Sequence, residues 1–148
     1  MKISDLNLKS FVKNEKIIEQ KFEYAGTKGI AQLLGYHIIF FSKISNINNI
    51  VTIYFYEIEN EELVSISNSI LDLIDIKVRF GDNYDRIKNL YGTANSIDTI
   101  YEDIDRYNYI IRSDLFISFG LKNNIIYSME IVNDEEMIEN IIRDRNIQ

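Results

Sequence analysis

The sequence contains no cysteine, no proline and no tryptophan, and its one histidine is His37. Without cysteine, disulfides and thiolate metal sites are excluded. A single histidine rules out a histidine-rich zinc site. No apolar run approaches the ~20 residues that a membrane helix needs. The longest runs are strand-length, such as Ile38 to Phe41. Met1 to Lys16 has no uninterrupted apolar core, so no secretory signal is expected. Together these absences suit a cytoplasmic protein that holds neither metal nor cofactor and does not enter a membrane. The abundance of Ile and Asn is a bias of the kind that tracks an AT-rich genome rather than a function.

Catalytic signatures are equally scarce. His37 stands in the strand-like run Tyr36-His37-Ile38-Ile39-Phe40-Phe41, and no local motif supplies the nucleophile and carboxylate that a general base needs. A satisfied structural histidine is the default reading. Gly26-Thr27-Lys28-Gly29 lacks the spacing and the Gly-Lys-Ser/Thr order of a phosphate loop and reads as a turn between a strand and a helix. No dinucleotide-binding glycine fingerprint is present. Asp98 to Asp105 imitates a calcium loop without its central glycine or its twelfth-position glutamate. Carboxylates are plentiful, so an enzyme built on a carboxylate pair is an alternative that composition leaves open.

What is present is an ordinary globular composition. Hydrophobic residues make up 46% and charged residues 26%, too apolar for a disordered chain. The 148 residues suit one domain, 1–148, and a chain this long buries roughly 70% of its unfolded surface. The formal net charge is −7. Such a chain repels nucleic acid and attracts a basic protein, although acidity also serves solubility alone.

Periodicity predicts an α+β fold, an antiparallel sheet with helices packed on one face. Helices are expected over Ser10 to Gln20, Asn60 to Ile74 with Asn60 as cap, Asp82 to Tyr91 with Asp82 as cap and Gly92 as terminator, and Asn133 to Arg145 with Asn133 as cap. Strands are expected over Lys21 to Ala25, Tyr36 to Ser42, Ile50 to Ile58, Tyr107 to Arg112, Leu115 to Leu121 and Ile125 to Val132. Lys122-Asn123-Asn124 reads as a hairpin turn, since asparagine tolerates positive φ. Asn46 to Asn49 reads as its counterpart in the first half.

That correspondence extends further. Gly29 to Gly35 would be a short helix ended by glycine and followed by a hairpin, as Asp82 to Gly92 would be in the second half. Two degenerate helix-hairpin repeats, or chance similarity in an Asn- and Ile-rich chain, both account for the pattern. The stretch Phe80-Gly81-Asp82-Asn83-Tyr84-Asp85-Arg86-Ile87-Lys88-Asn89-Leu90-Tyr91-Gly92, with the paired strands that follow it to Val132, resembles the half-repeat of BLIP-like domains, the β-lactamase-inhibitor-protein fold. The resemblance implies a helix delivered onto an antiparallel sheet, and a protein that binds other proteins. Small acidic proteins of this build include immunity proteins that block bacterial toxins.

The binding surface expected on these grounds is Tyr101, Glu102, Asp103, Asp105, Tyr107 and Tyr109, where acids alternate with tyrosines. Tyrosine brings large contact area with few torsions, and carboxylates steer a basic partner. A solvated acidic loop leading into a strand of half-buried tyrosines is the plainer account. The acids Glu57, Glu59, Glu61 and Glu62 read as the end of a strand and the start of a helix. The leading expectation is a non-catalytic immunity protein that binds a basic toxin domain, for instance a nuclease. An assembly module that forms homo-oligomers is the further alternative.

Overall fold

A computed structural model of the chain describes residues 18–147. Eleven elements follow one another: β1 (Ile18–Tyr24), β2 (Thr27–Leu34), β3 (Ile38–Lys43), β4 (Ile50–Phe55), α1 (Glu61–Leu73), α2 (Tyr84–Tyr91), β5 (Ser96–Tyr101), β6 (Ile104–Arg112), β7 (Leu115–Lys122), β8 (Ile125–Val132) and α3 (Glu135–Asp144). The eight strands form one antiparallel sheet in the order β1-β2-β3-β4-β8-β7-β6-β5. Each half of the chain is thus a four-stranded meander. The two meanders join where β4 pairs with β8, with Thr52 opposite Val132 and Phe55 opposite Met129.

The α+β class agrees with expectation, but the helices occupy both faces. On the first face, α1 and α2 bury Ile70, Leu71 and Ile87 against Phe40, Ile53, Phe55 and Phe119. On the second, α3 buries Met137, Ile138 and Ile141 against Phe41, Phe116 and Val132. The reason lies in the central strands. Neighbouring residues of a strand point to opposite faces. Phe40 and Phe41 are both fully buried, as are Ile131 and Val132, so both faces there need a cover. Each such side chain removed from water contributes about 1.5–3 kcal/mol. A continuous apolar run therefore specified a doubly covered strand.

Two strands lie where none was expected. Gly29 to Leu34, expected as a short helix, belongs to β2, which pairs with β1 on one side and β3 on the other. The preceding turn is a tight hairpin of Ala25 at φ 49° and Gly26 at φ 74°, so the turn leads from strand to strand and Thr27 to Gly29 already belong to β2. A helix-hairpin repeat in the first half is thereby removed. The acidic stretch around Asp98 is β5, an edge strand whose residues alternate between half-buried and exposed. Of the helix expected over Ser10 to Gln20, residues 10–17 lie outside the described part and 18–20 belong to β1.

The remaining helices stand near their expected bounds, with two caps shifted by one residue. Asn60 caps α1 through Leu63 N, at 2.8 Å. Asn83, rather than Asp82, caps α2. The Asp82 carboxylate instead closes the preceding turn on Arg79 N at 2.9 Å, and its carbonyl accepts from Ile126 N. This ties the start of α2 to the β7–β8 turn, where Asn123 and Asn124 take φ 53° and 63°. Asp134, rather than Asn133, caps α3 through Met137 N at 3.0 Å, while the Asn133 amide is turned toward Asp114 O. Lys43 approaches Asp134 to 2.9 Å, both side chains being mostly buried. The hydrogen bond to Asp134 raises the Lys43 pKa against the opposing effect of burial. Asp134→Ala is expected to lose about 1–2 kcal/mol through cap and ion pair together. Asp134→Asn, which keeps the cap, should retain about half of that. Urea denaturation of the two variants decides it, and equal losses would contradict the cap.

Candidate functional site

The six residues of the expected binding surface do not share one face. In β6 the alternation sends Tyr107 and Tyr109 to the face covered by α1 and α2, and Asp105 by register to the same side. Tyr109 is 2% exposed and donates its hydroxyl to Gly92 O at 2.9 Å, packing against Tyr91 and Phe119. It is a core residue and leaves the proposed surface. Tyr107 stacks on Tyr84 of α2, with ring centroids 4.5 Å apart. Only Tyr101 and the β5–β6 turn residues Glu102 and Asp103 remain together, and all three are exposed.

Tyr101 reaches the second face instead. Its hydroxyl lies 3.4 Å from that of Tyr56, and Tyr56 stacks on Tyr54 at 6.0 Å. Tyr56 follows the end of β4 and precedes Glu57, whose φ is 51°. The hydrogen bond with Tyr101, then burial, and then Glu57 hold the Tyr56 phenol above its ordinary pKa. Burial, then Glu57, Glu59 and Asp103, push Tyr127 to about 12. Lys122 sits over the Tyr127 ring at 5.1 Å and reaches Glu59 at 3.4 Å. The β4–α1 connection and the β5–β6 turn, more than forty residues apart in sequence, thus meet at one end of the sheet. They form a patch of Tyr56, Tyr101, Glu57, Glu59, Glu102 and Asp103. Glu61 and Glu62 lie in the first turn of α1, as expected. His37 accepts its structural place too: its Nδ1 is 2.9 Å from Tyr56 O, where the imidazole pins the strand bearing the patch.

Behind the tyrosines, a polar network crosses the second face. Glu130 of β8 is 3% exposed. It accepts from Ser118 Oγ at 2.8 Å and from Arg145 Nη2 at 3.0 Å, with Arg145 Nη1 in ion-pair contact at 2.9 Å. Arg145, the C-cap of α3, also donates to Asn108 Oδ1 at 3.1 Å and lies over the Phe116 ring. Asn108 Nδ2 donates onward to Asp98 and Ser96. Arg106 closes the chain on Asp98 with paired bonds at 2.8 and 2.5 Å. Burial raises the Asp98 pKa, but the Arg106 and Asn108 hydrogen bonds and charges outweigh it, and the net shift is downward. Among the described residues, no cluster of three metal-ligating side chains forms.

Between this network and α3 is a cavity of about 360 Å³. Its wall is Phe22, Tyr24, Phe41 and Ile39; its polar side is Tyr54, Arg106, Glu130 and Arg145. Tyr54 belongs to both features, since it lines the cavity and stacks on the patch. Burial and the neighbouring Tyr101 raise the Tyr54 pKa, so its hydroxyl is a donor at neutral pH.

Sequence reasoning missed Tyr54, Tyr56, Glu57, Tyr127 and the whole network. One signal was available. Glu130 interrupts the apolar run Ile125 to Val132, and a lone acid in a doubly covered strand demands a buried cation. Its partner Arg145 reads in the sequence only as the end of the helix from Asn133. Comparison with family models, curated proteins and solved structures gave no match.

Proposed function

We propose that this protein is a non-catalytic binding protein, an immunity protein that neutralises a cognate basic toxin domain in the cytoplasm by direct contact. The observation that carries the reading is the convergence of Glu57, Glu59, Glu102 and Asp103 beside the stacked tyrosines at one end of the sheet. Carboxylates at a rim accelerate encounter with a basic surface, and tyrosines fixed by stacking lose little entropy on contact. The network behind them ties β5, β6, β7, β8 and α3 together, and such cross-linking lowers the ordering cost of binding. The resemblance of Phe80 to Val132 to the BLIP-like half-repeat points the same way.

The test is association with a basic toxin domain, sought in the neighbouring reading frames, followed by stopped-flow and calorimetry. Glu102→Lys with Asp103→Lys is expected to slow association about tenfold at low salt and to flatten its salt dependence. Tyr101→Ala should act mainly on dissociation, by about 2 kcal/mol. Unchanged rates and affinity in both variants would dispose of this surface. A catalytic activity of the isolated chain that one carboxylate substitution abolishes would replace the reading with an enzymatic one.

A further inference from the structure

The cavity beneath α3 carries an inference that does not depend on the toxin. Its wall is apolar and largely aromatic, formed by Phe22, Tyr24, Phe41 and Ile39. Phe22, Tyr24, Ile39 and Tyr54 are only half-buried, so the space is open to solvent. Its volume of about 360 Å³ lies within the range of small-molecule sites, roughly 300–1,000 Å³.

The polar side decides the chemistry of an occupant. Arg145 is paired with Glu130, and Arg106 with Asp98, so two cations face two carboxylates there. Asp144 at the lining is itself paired with Arg143 at 3.5 Å, so it frees no cation there. A ligand carboxylate or phosphate would therefore find no uncompensated cation and would lose its hydration. Hydrogen-bonding capacity is nevertheless left over. Among the described residues, Arg106 Nη1 has no acceptor, since its Nε and Nη2 are spent on Asp98. The buried hydroxyls of Thr52 and Tyr24, both lining residues, also lack partners among the described residues. An uncharged group that accepts and donates, such as an amide, matches what these groups offer. The rings alongside match a flat apolar body.

We propose that this cavity is a binding site for a small, uncharged, aromatic molecule bearing an amide or similar hydrogen-bonding group. The aromatic part lies against Phe22, Tyr24 and Phe41, beside Tyr54, and the polar group faces Arg106 and Thr52. Binding there orders Tyr54, which is stacked on Tyr56, and so reaches the tyrosine patch through one side chain.

Phenylacetamide, phenylacetate and ethylbenzene serve as probes of one body with three ends. Each is titrated into the full chain and followed by backbone amide chemical shifts. Phenylacetamide is expected to bind at least about tenfold more tightly than either of the others, the equivalent of one or two well-made hydrogen bonds. Its shifts should centre on Ile39, Tyr54, Arg106 and Arg145. Ile39→Trp, which fills the cavity, should abolish them. Binding of phenylacetate equal to or tighter than phenylacetamide would overturn the proposal. So would equal binding of ethylbenzene, shifts centred elsewhere, or no binding up to the solubility limit. The mapping on the unsubstituted chain decides the matter even where Ile39→Trp fails to fold.

Discussion

Glu130→Leu should be the most damaging single change on the second face of the sheet, costing about 3–5 kcal/mol. The carboxylate is nearly fully buried and neutralises Arg145, whose side chain is only 16% exposed. Its removal strands a guanidinium among Phe116, Asn108 and the α3 backbone, and also leaves Ser118 Oγ without its acceptor. The double variant Glu130→Leu/Arg145→Leu removes both charges, so it should be more stable than Glu130→Leu alone. That non-additivity separates an uncompensated charge from simple loss of packing. Urea unfolding of the three chains measures it. A double variant whose loss equals the sum of the two singles would contradict the pairing as the source of the effect.

Gly29→Ala should be nearly as costly, about 3 kcal/mol, the upper end of what overpacking exacts. A Cβ built at Gly29 would stand 2.0 Å from Ser42 O and 2.5 Å from the Phe41 ring. Both obstacles belong to the adjacent strand β3, and one is backbone, so the register of β2 on β3 would have to give. Gly35→Ala is the control. Its φ is 64°, but nothing lies within 4 Å of the added carbon. Only the strain of the left-handed conformation is incurred there, about 1 kcal/mol. Thermal unfolding of both variants suffices; a Gly29→Ala protein as stable as Gly35→Ala would show that β2 can slide aside.

These two positions illustrate what was legible in the sequence and what was not. Gly29 was visible as a glycine, and its neighbours Ile30, Ala31, Leu33 and Leu34 fit helical and strand spacing alike. Pairing on both sides, a non-local fact, chose the strand. Strands with strong β-formers, such as Leu115 to Leu121, declared themselves, and so did the Asn-Asn turn, because their signals are local. The caps slipped by one residue where two capping residue types stand side by side, Asp82 with Asn83 and Asn133 with Asp134, and the first of each pair is engaged elsewhere. Asp82 is held by the local turn at Arg79, and Asn133 by the distant carbonyl of Asp114.

The candidate site was legible only at its edge. Tyr101, Glu102 and Asp103 stay together because a tight turn keeps them so. Asp105, Tyr107 and Tyr109 part from Tyr101 because a strand changes face at every residue. The acids that do join Tyr101, Glu57 and Glu59, come from a distant connection that no spacing rule links to it. A reading by clusters along the chain finds turns well and finds surfaces across strands poorly.

The seam between β4 and β8 has a consequence for how the chain reaches this structure. Every other strand pair joins neighbours in sequence through a turn or short loop. Such hairpins close quickly, since little loop entropy is lost in each. Thr52 meeting Val132 encloses both α1 and α2 and most of the second meander. The entropy of that closure falls on one event, and its contacts, Ile53 with Ile131 and Phe55 with Met129, repay it only after the two meanders have met. The shared core around Phe55 and Phe119 is therefore a late possession of the folding chain. Until it forms, each meander ends in an apolar strand, β4 or β8, with one edge unpaired and open to the same strand of another molecule.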